Sequence, residues 1–523
     1  MTEFSIPSYP SYNLGLMWFR RDLRTTDNAA LFQALKSCRK VVCFFIFDRA
    51  ILDSLPRADR RVEFIRESLV ELNQQLLNLL EATSARDLNT AQNNTAGLLV
   101  RHAYALQAVP DLAIELNANV VFFNHDDEPD ALARDAAVRA VLEARGIAFH
   151  GFKDHTIFER SELLTQSTGK PYSVFTPYKN AWLKKINAFY LKPYPVERYA
   201  ASLAAVPLLD DLANSSGETI PRLTSLGFEK TNLADLKIPT GTSGAMALFD
   251  DFQNRIAHYT DARNFPAIKG PSYLSVHLRF GTVSIRTLAA KALELQMSGT
   301  SPGATTWLSE LIWRDFYMQV MANFPQIARG GTFKPVFDGI LWEQGAQAQQ
   351  LFEAWCQGRT GYPLVDAAMA QINSTGYMHN RLRMVTASFL SKDLGLDWRL
   401  GERYFAEKLN DYDWAANNGG WQWAAGTGCD AQPYFRIFNP VSQSQKFDAD
   451  GVFIRRYLPV LQQLPKAVVH APWLASPAQL QAAGVELGVN YPHPIVNHEE
   501  ARKLTLARYA AAQNVNQMPD QDT

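Results

Sequence analysis

The strongest constraint on the fold is a change in the pattern of apolar residues along the chain. Between residues 14 and 150, short β-rich apolar runs alternate with amphipathic stretches. One of these runs, Val41–Phe47, is continuously apolar, which is typical of a strand buried on both faces. From about residue 236 the strand pattern disappears and helical periodicity dominates. The sequence therefore predicts a doubly wound parallel α/β domain and an all-helical C-terminal domain.

The same pattern sets the expected elements and boundaries. Further strands are predicted near residues 98–100, 120–123 and 147–149, and helices from about Asp27 and over 62–80, 104–117 and 130–145. Asp27 or Asn28 is expected to cap the first helix. The predicted organisation is an α/β domain at 14–150, an inter-domain connector at 151–235, a helical domain at 236–511 and a flexible tail at 512–523.

Composition narrows the class of protein. The 523 residues are enough for two or three domains, and no apolar run is long enough to span a membrane. The four cysteines form no CxxC pair, and the start MTEFSIPSYPSYN lacks the pattern of a secretory signal, so we expect a cytoplasmic protein. The net charge of -1 means that binding to nucleic acid would need a local positive patch rather than an overall basic surface.

The stretch Thr360–Trp423 is unusual for an ordinary core. It begins as an amphipathic helix, is interrupted at Gly376, and resumes as a second helix near Met378. Polar and aromatic residues follow that suit a large flat ligand with hydrogen-bonding edges: Asn380, Arg381, Arg383, Trp398, Asp411, Asp413, Asn417, Asn418, Trp421 and Trp423. Any single indole here is better explained as core, but the whole set favours a bound aromatic cofactor.

Several segments resemble one known family. They are MWFRRDLRTTDNAAL, VFTPYKNAWLKK, WLSELIWRDFY, TGYPLVDAAMAQI, NRLRMVTASFLSKDLGLDWR and PYFRIFNP. Together they are similar to class I cyclobutane pyrimidine dimer DNA photolyases, within the photolyase/cryptochrome family, and the resemblance spans about residues 14–510. It implies a light-dependent repair enzyme, a carbon–carbon lyase. In that family, reduced anionic FAD absorbs blue light and passes an electron to a flipped-out pyrimidine dimer, the dimer splits, and the electron returns.

The resemblance also implies the cofactor site. The matching FAD-binding positions are Tyr259, Ser272, Tyr273, Leu274, Ser275, Trp307, Arg314, Arg383, Asp411, Asp413 and Asn417. Arg383 supplies positive charge for an anionic flavin, with Asp411 as its expected partner, and the Asn417 amide matches the residue beside flavin N5. Pro271 stands where the family has a threonine in the phosphate-binding turn, so it is left out of the site.

The implied substrate is ultraviolet-damaged DNA, bound by an expected monomer. The matching positions are Arg263, Glu310, Trp313, Asn380, Arg381, Met384, Trp423 and Gln443. In the family, Glu310 hydrogen-bonds the pyrimidines and Trp313 forms the wall on which they stack. Trp421, Trp398 and Trp342 match a tryptophan chain that carries electrons to the flavin. The residues expected to act in catalysis are thus Glu310, Asn417 and these three tryptophans.

The resemblance implies a second, light-harvesting chromophore in the α/β domain, which has no GxGxxG or GxxxxGK[ST] motif. Methenyltetrahydrofolate is the first expectation. Folate-binding relatives carry a glutamate where this chain has Ala131, and a Cys-Lys pair where it has Ala328 and Arg329. A deazaflavin, a flavin or no antenna therefore stay open.

Two alternatives share the fold. A (6-4) photolyase needs a histidine at the position of Met384, and methionine cannot move a proton. A cryptochrome, which signals in blue light without repair, usually has a long C-terminal tail and an altered pocket, unlike this chain. We find no metal-ligating cluster and no Ser-His-Asp array, and the lone His379 is interpreted as structural.

Overall fold

The computed structural model describes residues 11–84, 95–207, 219–299, 301–431 and 433–515. The chain divides into two compact units that interleave along the sequence. The first unit contains residues up to Glu159, Leu183–Asn254 and Ser272–Ser298, and the second contains Arg160–Trp182, Arg255–Pro271 and the residues from Gly299 onward.

The first unit is built on a five-stranded parallel sheet with strand order β4-β2-β1-β5-β6. The strands are β1 (Tyr12–Phe19), β2 (Cys38–Asp48), β4 (Leu98–Ala103), β5 (Val120–Asn124) and β6 (Ala148–Phe152). Two-residue strands, β3 (Thr95–Ala96) and β7 (Val206–Pro207), form a separate antiparallel pair. The predicted strands are all present, and the doubly wound α/β fold is confirmed.

The first unit also contains nine α-helices among its described residues, and apolar clusters lie on both faces of the sheet. The helices are α1 (Ala29–Ser37), α2 (Arg49–Leu52), α3 (Arg60–Ser84), α4 (Ala105–Glu115), α5 (Pro129–Glu143), α7 (Ala188–Leu191), α8 (Gly241–Gln253), α10 (Ser275–Phe280) and α11 (Ile285–Met297). Alternate residues of β1 enter different cores: Met17 and Phe19 join one apolar cluster, and Leu16 and Trp18 join the other. Burial of both faces explains why the strands are continuously apolar in sequence.

A buried ionic network fixes the loop after β1. Asp154 binds Arg24 and Arg286, each at 2.7 Å, and Arg286 also binds Asp27. Burial alone would raise the pKa of Asp154, but the two guanidinium groups overcome that effect and hold it well below its usual range. Asn28, rather than Asp27, caps α1, since its side chain accepts a hydrogen bond from the Leu31 amide at 3.0 Å.

The division into units differs from the boundaries predicted from sequence. The predicted connector, 151–235, is split between the two units. Leu226, Phe228 and Leu233 pack in the same apolar cluster as the sheet. Conversely, Trp182 donates from Nε1 to Asp315 Oδ2 at 3.0 Å in the second unit.

The second unit is helical, as predicted. Its helices are most of α6 (Phe175–Lys185), α9 (Tyr259–Ala262), α12 (Pro302–Asn323), α13 (Ala346–Gln357), α14 (Pro363–Thr375), α15 (Asn380–Ser388), α16 (Trp398–Lys408), α17 (Trp414–Ala425), α18 (Pro440–Phe447), α19 (Val452–Tyr457), α20 (Pro477–Ala482) and α21 (His498–Val515). A π-helical turn, Phe389–Asp393, follows α15. The helix α21 continues into the predicted tail at 512–515, and residues beyond 515 lie outside the described part of the chain.

The core of this unit contains the apolar face that the sequence predicts. Val365, Met369 and Ile372 of α14 are fully buried, and α14 ends at Gly376 with a left-handed φ of 68°. Leu382 and Val385 of α15 enter the same cluster. None of the helices in the described residues combines the length and the apolar character that a membrane crossing requires.

Candidate active site

The helix α12 carries two of the predicted substrate residues, Glu310 and Trp313. A Cβ on Gly303 would lie 1.8 Å from the carbonyl oxygen of Ile256, so only glycine lets α12 begin this close to the backbone before α9. Glu310 and Trp313 lie three residues apart on α12 and are both half-buried, so they share one helix face. Trp307, one turn earlier, is buried, and Arg314 is half-buried.

Glu310 forms an ion pair with Arg263. Arg263 Nη1 lies 2.7 Å from Glu310 Oε1, and about a quarter of each side chain is exposed. Burial raises the pKa of the Glu310 carboxyl, and Arg263 offsets part of that rise. The Arg263 guanidinium also lies 5.5 Å above the ring of Tyr259, whose hydroxyl pKa is raised by burial. Tyr259, Arg263 and Glu310, all predicted site residues, therefore form one cluster.

The start of α15 adds polar groups to the same unit. Asn380 is exposed and Met384 is half-buried. Arg381 donates from Nη2 to Asn264 Oδ1 at 2.7 Å, and its guanidinium lies 4.5 Å above the ring of Phe447. Sequence reasoning missed the roles of Asn264 and Phe447, since no local pattern indicates which distant residues will hold an arginine in place.

His379 uses one ring nitrogen to cap α15, and its other ring nitrogen is buried. Its Nδ1 accepts from the Arg381 amide at 3.2 Å, which is the structural role predicted. Its Nε2 therefore carries the proton, and among the described residues that buried Nε2 has no hydrogen-bond partner. Arg381 Nε and Gln443 Oε1 are buried without a partner in the same sense. Buried polar atoms without a partner are uncommon in native folds, so these three atoms are candidates for contact with water or a bound polar group.

Arg383 is held in one orientation by two partners. Its Nη2 contacts both Asp411 oxygens, at 3.0 and 2.8 Å, and its Nε donates to the Met378 carbonyl at 2.9 Å. The Asp411 side chain is almost fully buried, while the Arg383 side chain is 28% exposed. The pair expected from the sequence is therefore present, and Arg383 retains exposed surface for an anion.

The helix α17 carries the remaining predicted polar residues. Asp413 caps it by accepting from the Ala416 amide at 3.2 Å. Asn417 donates from Nδ2 to the Glu402 carbonyl at 3.0 Å, so its amide is oriented with the side-chain oxygen left to accept. Trp423 packs against the main core of the unit and is partly buried.

The predicted tryptophan chain lies in and around one core. Trp398 and Trp421 are buried, and Trp342 packs against the same cluster while partly exposed. Gly401, one turn after Trp398 on α16, adjoins the Trp421 ring: a Cβ there would lie 2.0 Å from Cη2. The same face of α16 thus contacts Trp421. Trp355, which sequence analysis did not single out, lies 6.1 Å from Trp421 between ring centroids.

The predicted phosphate-binding turn belongs to the first unit. Tyr273 has a positive φ of 59°, Ser272 Oγ accepts weakly from the Leu274 amide at 3.4 Å, and Ser275 begins the short helix α10. The structure thus places these four residues in one tight turn of the first unit.

Comparison with known proteins identifies the family. Residues 15–198 match the family model for DNA photolyase, and residues 307–511 match the model for the FAD binding domain of DNA photolyase. The deoxyribodipyrimidine photo-lyase of Escherichia coli strain K12 is 40% identical over 500 residues, which cover 95% of this chain and 98% of that protein. The chain belongs to the DNA photolyase family, and the resemblance read from its sequence is confirmed.

Solved structures agree with this assignment. A bacterial class III photolyase from Agrobacterium tumefaciens has a TM-score of 0.80 at 33% identity, covering 98% of this chain and all of the other. A Synechocystis cryptochrome has a TM-score of 0.79 at 28% identity, with 95% and 99% covered. An archaeal photolyase from Sulfolobus tokodaii with two FAD molecules has a TM-score of 0.73 at 32% identity, with 95% and 100% covered.

Proposed function

We propose that this chain is a light-dependent DNA repair enzyme, a deoxyribodipyrimidine photo-lyase that splits cyclobutane pyrimidine dimers. The observation that carries the proposal is the single face of α12 on which Glu310, bound to Arg263 at 2.7 Å, adjoins Trp313. A pyrimidine pair needs hydrogen-bonding groups at its edges and a flat apolar surface against its faces, and a carboxyl beside an indole supplies both. The Escherichia coli protein named for this activity is 40% identical over nearly the whole chain.

The lesion pocket is assigned to Glu310, Trp313, Asn380, Met384 and Trp423. Removing a nucleotide from the duplex costs a few kcal/mol, and less for a damaged base, so the pocket selects lesions partly through that cost. Burial raises the pKa of the Glu310 carboxyl, but its ion pair with Arg263 opposes that shift, and the carboxylate oxygens can accept a hydrogen bond from a pyrimidine N–H.

DNA binding is assigned to a local patch formed by Arg263, Arg381 and Gln443. The whole chain has a net charge of -1, so attraction to phosphates must come from such a patch. Contacts of this kind position the duplex without reading its sequence, and they weaken as salt rises. We expect the protein to act as a monomer in the cytoplasm.

FAD is the proposed cofactor, and residues 307–511 match the family model for its binding domain. Bound in its reduced anionic form, it supplies the blue-light absorption and the electron that opens the cyclobutane ring. Arg383, held by Asp411, provides the positive charge that a buried anion requires, and the Nε2–H of His379 is a further buried donor. The other residues assigned to cofactor binding are Tyr259, Ser272, Tyr273, Leu274, Ser275, Trp307, Arg314, Asp413 and Asn417.

Trp421, Trp398 and Trp342 are assigned to electron transfer inward from the surface. The two inner indoles are buried and the outermost is partly exposed, which is the arrangement that such a path needs.

A second chromophore is part of the proposal, with methenyltetrahydrofolate as the first candidate. Ala131, buried on α5, and the pair Ala328 and Arg329 depart from the folate-binding pattern, so a deazaflavin or a second flavin is the alternative. The Sulfolobus tokodaii photolyase, described with two FAD molecules, supports a flavin antenna as the next candidate. Chromophores released from the purified protein and separated by mass decide among the three.

The competing function is blue-light signalling without repair. It is considered because a Synechocystis cryptochrome has the same fold. A repair assay separates the candidates. Oligonucleotides carrying one cyclobutane thymine dimer or one (6-4) photoproduct are incubated with reduced protein in blue light and in the dark. We expect light-dependent restoration of the cyclobutane substrate alone. Restoration of the (6-4) substrate, or of neither, would reject the proposal.

A further inference from the structure

A second aromatic ring covers one face of Trp313, the wall assigned to the lesion. The rings of Phe175 and Trp313 are nearly parallel, with an interplanar angle of 8° and centroids 3.7 Å apart. Phe175 is 7% exposed, whereas Trp313 is half-buried. The pair therefore forms a two-layer platform, with an inner ring in the core and an outer ring that reaches the surface.

Two other aromatic rings contact Trp313 at larger interplanar angles. Phe316 meets it edge-on at 79°, and Tyr317 is tilted by 33°. Among the described residues, Phe175 is the only ring that stacks in parallel on Trp313. Aromatic pairs in ordinary cores prefer offset or edge-to-face contacts. The closely overlapped parallel pair therefore indicates that Phe175 fixes the orientation of the Trp313 indole.

Phe175 is itself fixed to the second unit at several points. Its backbone amide donates to Asp430 Oδ2 at 3.1 Å. Two turns later on α6, Trp182 is bound to Asp315 of α12, and both residues are almost fully buried. Between them, Tyr178 is fully buried and lies 5.3 Å from Phe316 between ring centroids. The segment thus buttresses the reverse side of α12, although sequence analysis interpreted it as part of a connector.

We infer that Phe175 is a positioning residue for lesion recognition, which rests on the proposed repair function. Its ring holds the Trp313 indole flat, so that the flipped pyrimidine pair stacks as the third layer. Without the inner ring, the indole can tilt into the space that Phe175 leaves, and the outer surface is no longer a plane. Stacking on an aromatic side chain depends on that parallel contact, and its loss weakens binding of a base by about tenfold.

The alternative is that Phe175 only fills space, and three substitutions separate the two. Phe175→Leu keeps apolar bulk but removes the flat ring, Phe175→Ala removes both, and Phe175→Tyr keeps the ring. The measurement is dark binding, by fluorescence anisotropy, of reduced FAD-loaded protein to an oligonucleotide with one thymine dimer and to the same undamaged oligonucleotide. Bound FAD and the thermal midpoint are measured for each variant.

We expect Phe175→Leu and Phe175→Ala to weaken dimer binding about tenfold and to leave binding of undamaged DNA unchanged, because the phosphate contacts remain. Phe175→Tyr should keep the wild-type preference for damaged DNA. If Phe175→Ala fails to fold, Phe175→Leu still provides the test. A wild-type preference in Phe175→Leu, or an equal loss for both oligonucleotides, would overturn the inference. A wild type with no preference for the dimer would overturn the proposed function as well.

Discussion

Gly419 of α17 lies directly against the ring of Tyr317 on α12. A Cβ at position 419 would be 2.2 Å from Cδ1 of that ring, so the two helices approach more closely than any other residue would allow. The contact joins the helix that carries Glu310 and Trp313 to the helix that carries Asn417 and the last two tryptophans of the stretch.

Gly419→Ala should therefore destabilise the protein, by about 1–3 kcal/mol, because the added methyl group overpacks this contact. The adjacent residue gives a matched control, since a Cβ on Gly420 would meet no atom within 4 Å. Gly420→Ala should be neutral or stabilise α17 by up to about 1 kcal/mol. Chemical denaturation of both variants tests the contact, and equal stabilities would mean that the helices are not this close.

Removal of the Glu310 carboxylate should impair repair through lesion recognition. Glu310→Ala loses a hydrogen-bonding group beside Trp313, and we expect about tenfold weaker dimer binding and a lower repair yield per absorbed photon. Glu310→Gln, which keeps an acceptor oxygen at the same position, should retain more of both. Glu353→Ala, at an exposed acidic residue of α13, is the control. A repair yield in Glu310→Ala equal to that of the wild type removes Glu310 from the pocket.

His379 should make the stability of the protein depend on acid pH. Burial lowers its pKa from about 6.5 to about 4, and Arg381 and Arg383 add to that effect. The unfolded chain then binds more protons than the native state between pH 6.5 and 4, so stability is lost as pH falls through this window. The loss amounts to roughly 3 kcal/mol.

His379→Asn keeps an oxygen that can cap α15 and removes the titration. Denaturant unfolding gives the free energy of unfolding of both proteins at pH 6.5 and at pH 4. Between these two pH values, the wild type should lose roughly 3 kcal/mol more of this free energy than the variant. The buried His277, whose pKa is also lowered to about 4, is present in both proteins and cancels. Parallel pH profiles would contradict this account of His379.

Asn417→Asp should shorten the lifetime of reduced FAD in air. The amide of Asn417 donates to the Glu402 carbonyl, a bond that a carboxylate cannot make. In the proposed site, a carboxylate at this position would also place a negative charge next to an anionic flavin. Asn373→Asp is the control, since Asn373 Nδ2 also donates to a backbone carbonyl, that of Cys356, but at an exposed position. Absorbance at the oxidised-flavin band follows both. Equal lifetimes for Asn417→Asp and wild type would reject the assignment.

Trp421→Phe should slow light-driven reduction of bound FAD while repair by protein reduced beforehand stays largely intact. Phenylalanine is much harder to oxidise than tryptophan, so it interrupts the path. Trp355→Phe is the matched control. Trp355 is also buried, and its ring centroid lies 6.1 Å from that of Trp421. It is not part of the proposed chain: its Nε1 donates to the Thr386 carbonyl, and its ring stacks on Phe352, which cannot carry the charge onward. Transient absorption distinguishes them, and loss of repair in chemically reduced Trp421→Phe would contradict this division of roles.

The elements of the fold were predictable because their signals are local. The continuous run in β2 and the spacing of Val365, Met369 and Ile372 in α14 follow directly from which faces are buried. The unit boundaries were not predictable in the same way. Whether Leu226 or Trp182 joins one core or the other depends on tertiary contacts that leave no periodic trace in sequence.

The residues of the candidate site likewise fall into those that the sequence indicates and those that only tertiary contacts reveal. Glu310, Trp313 and the pair of Arg383 and Asp411 were identified from the resemblance, and the structure gives each a defined neighbourhood. Phe175 was not identified, because its partner ring lies far away in sequence. Contacts of this kind depend on the packing of α6 against α12, which only the folded chain specifies.

The central claim is that Glu310 and Trp313 receive a dimer that reduced FAD opens in blue light. The most direct measurement is single-turnover repair: reduced protein in excess is mixed with a thymine-dimer oligonucleotide in the dark, and restored thymine absorbance is followed after a blue flash. The account predicts recovery of the thymine absorbance only after the flash, with a smaller recovery in Glu310→Ala. Protein that carries reduced FAD and binds the dimer, yet gives no recovery in light, would contradict it.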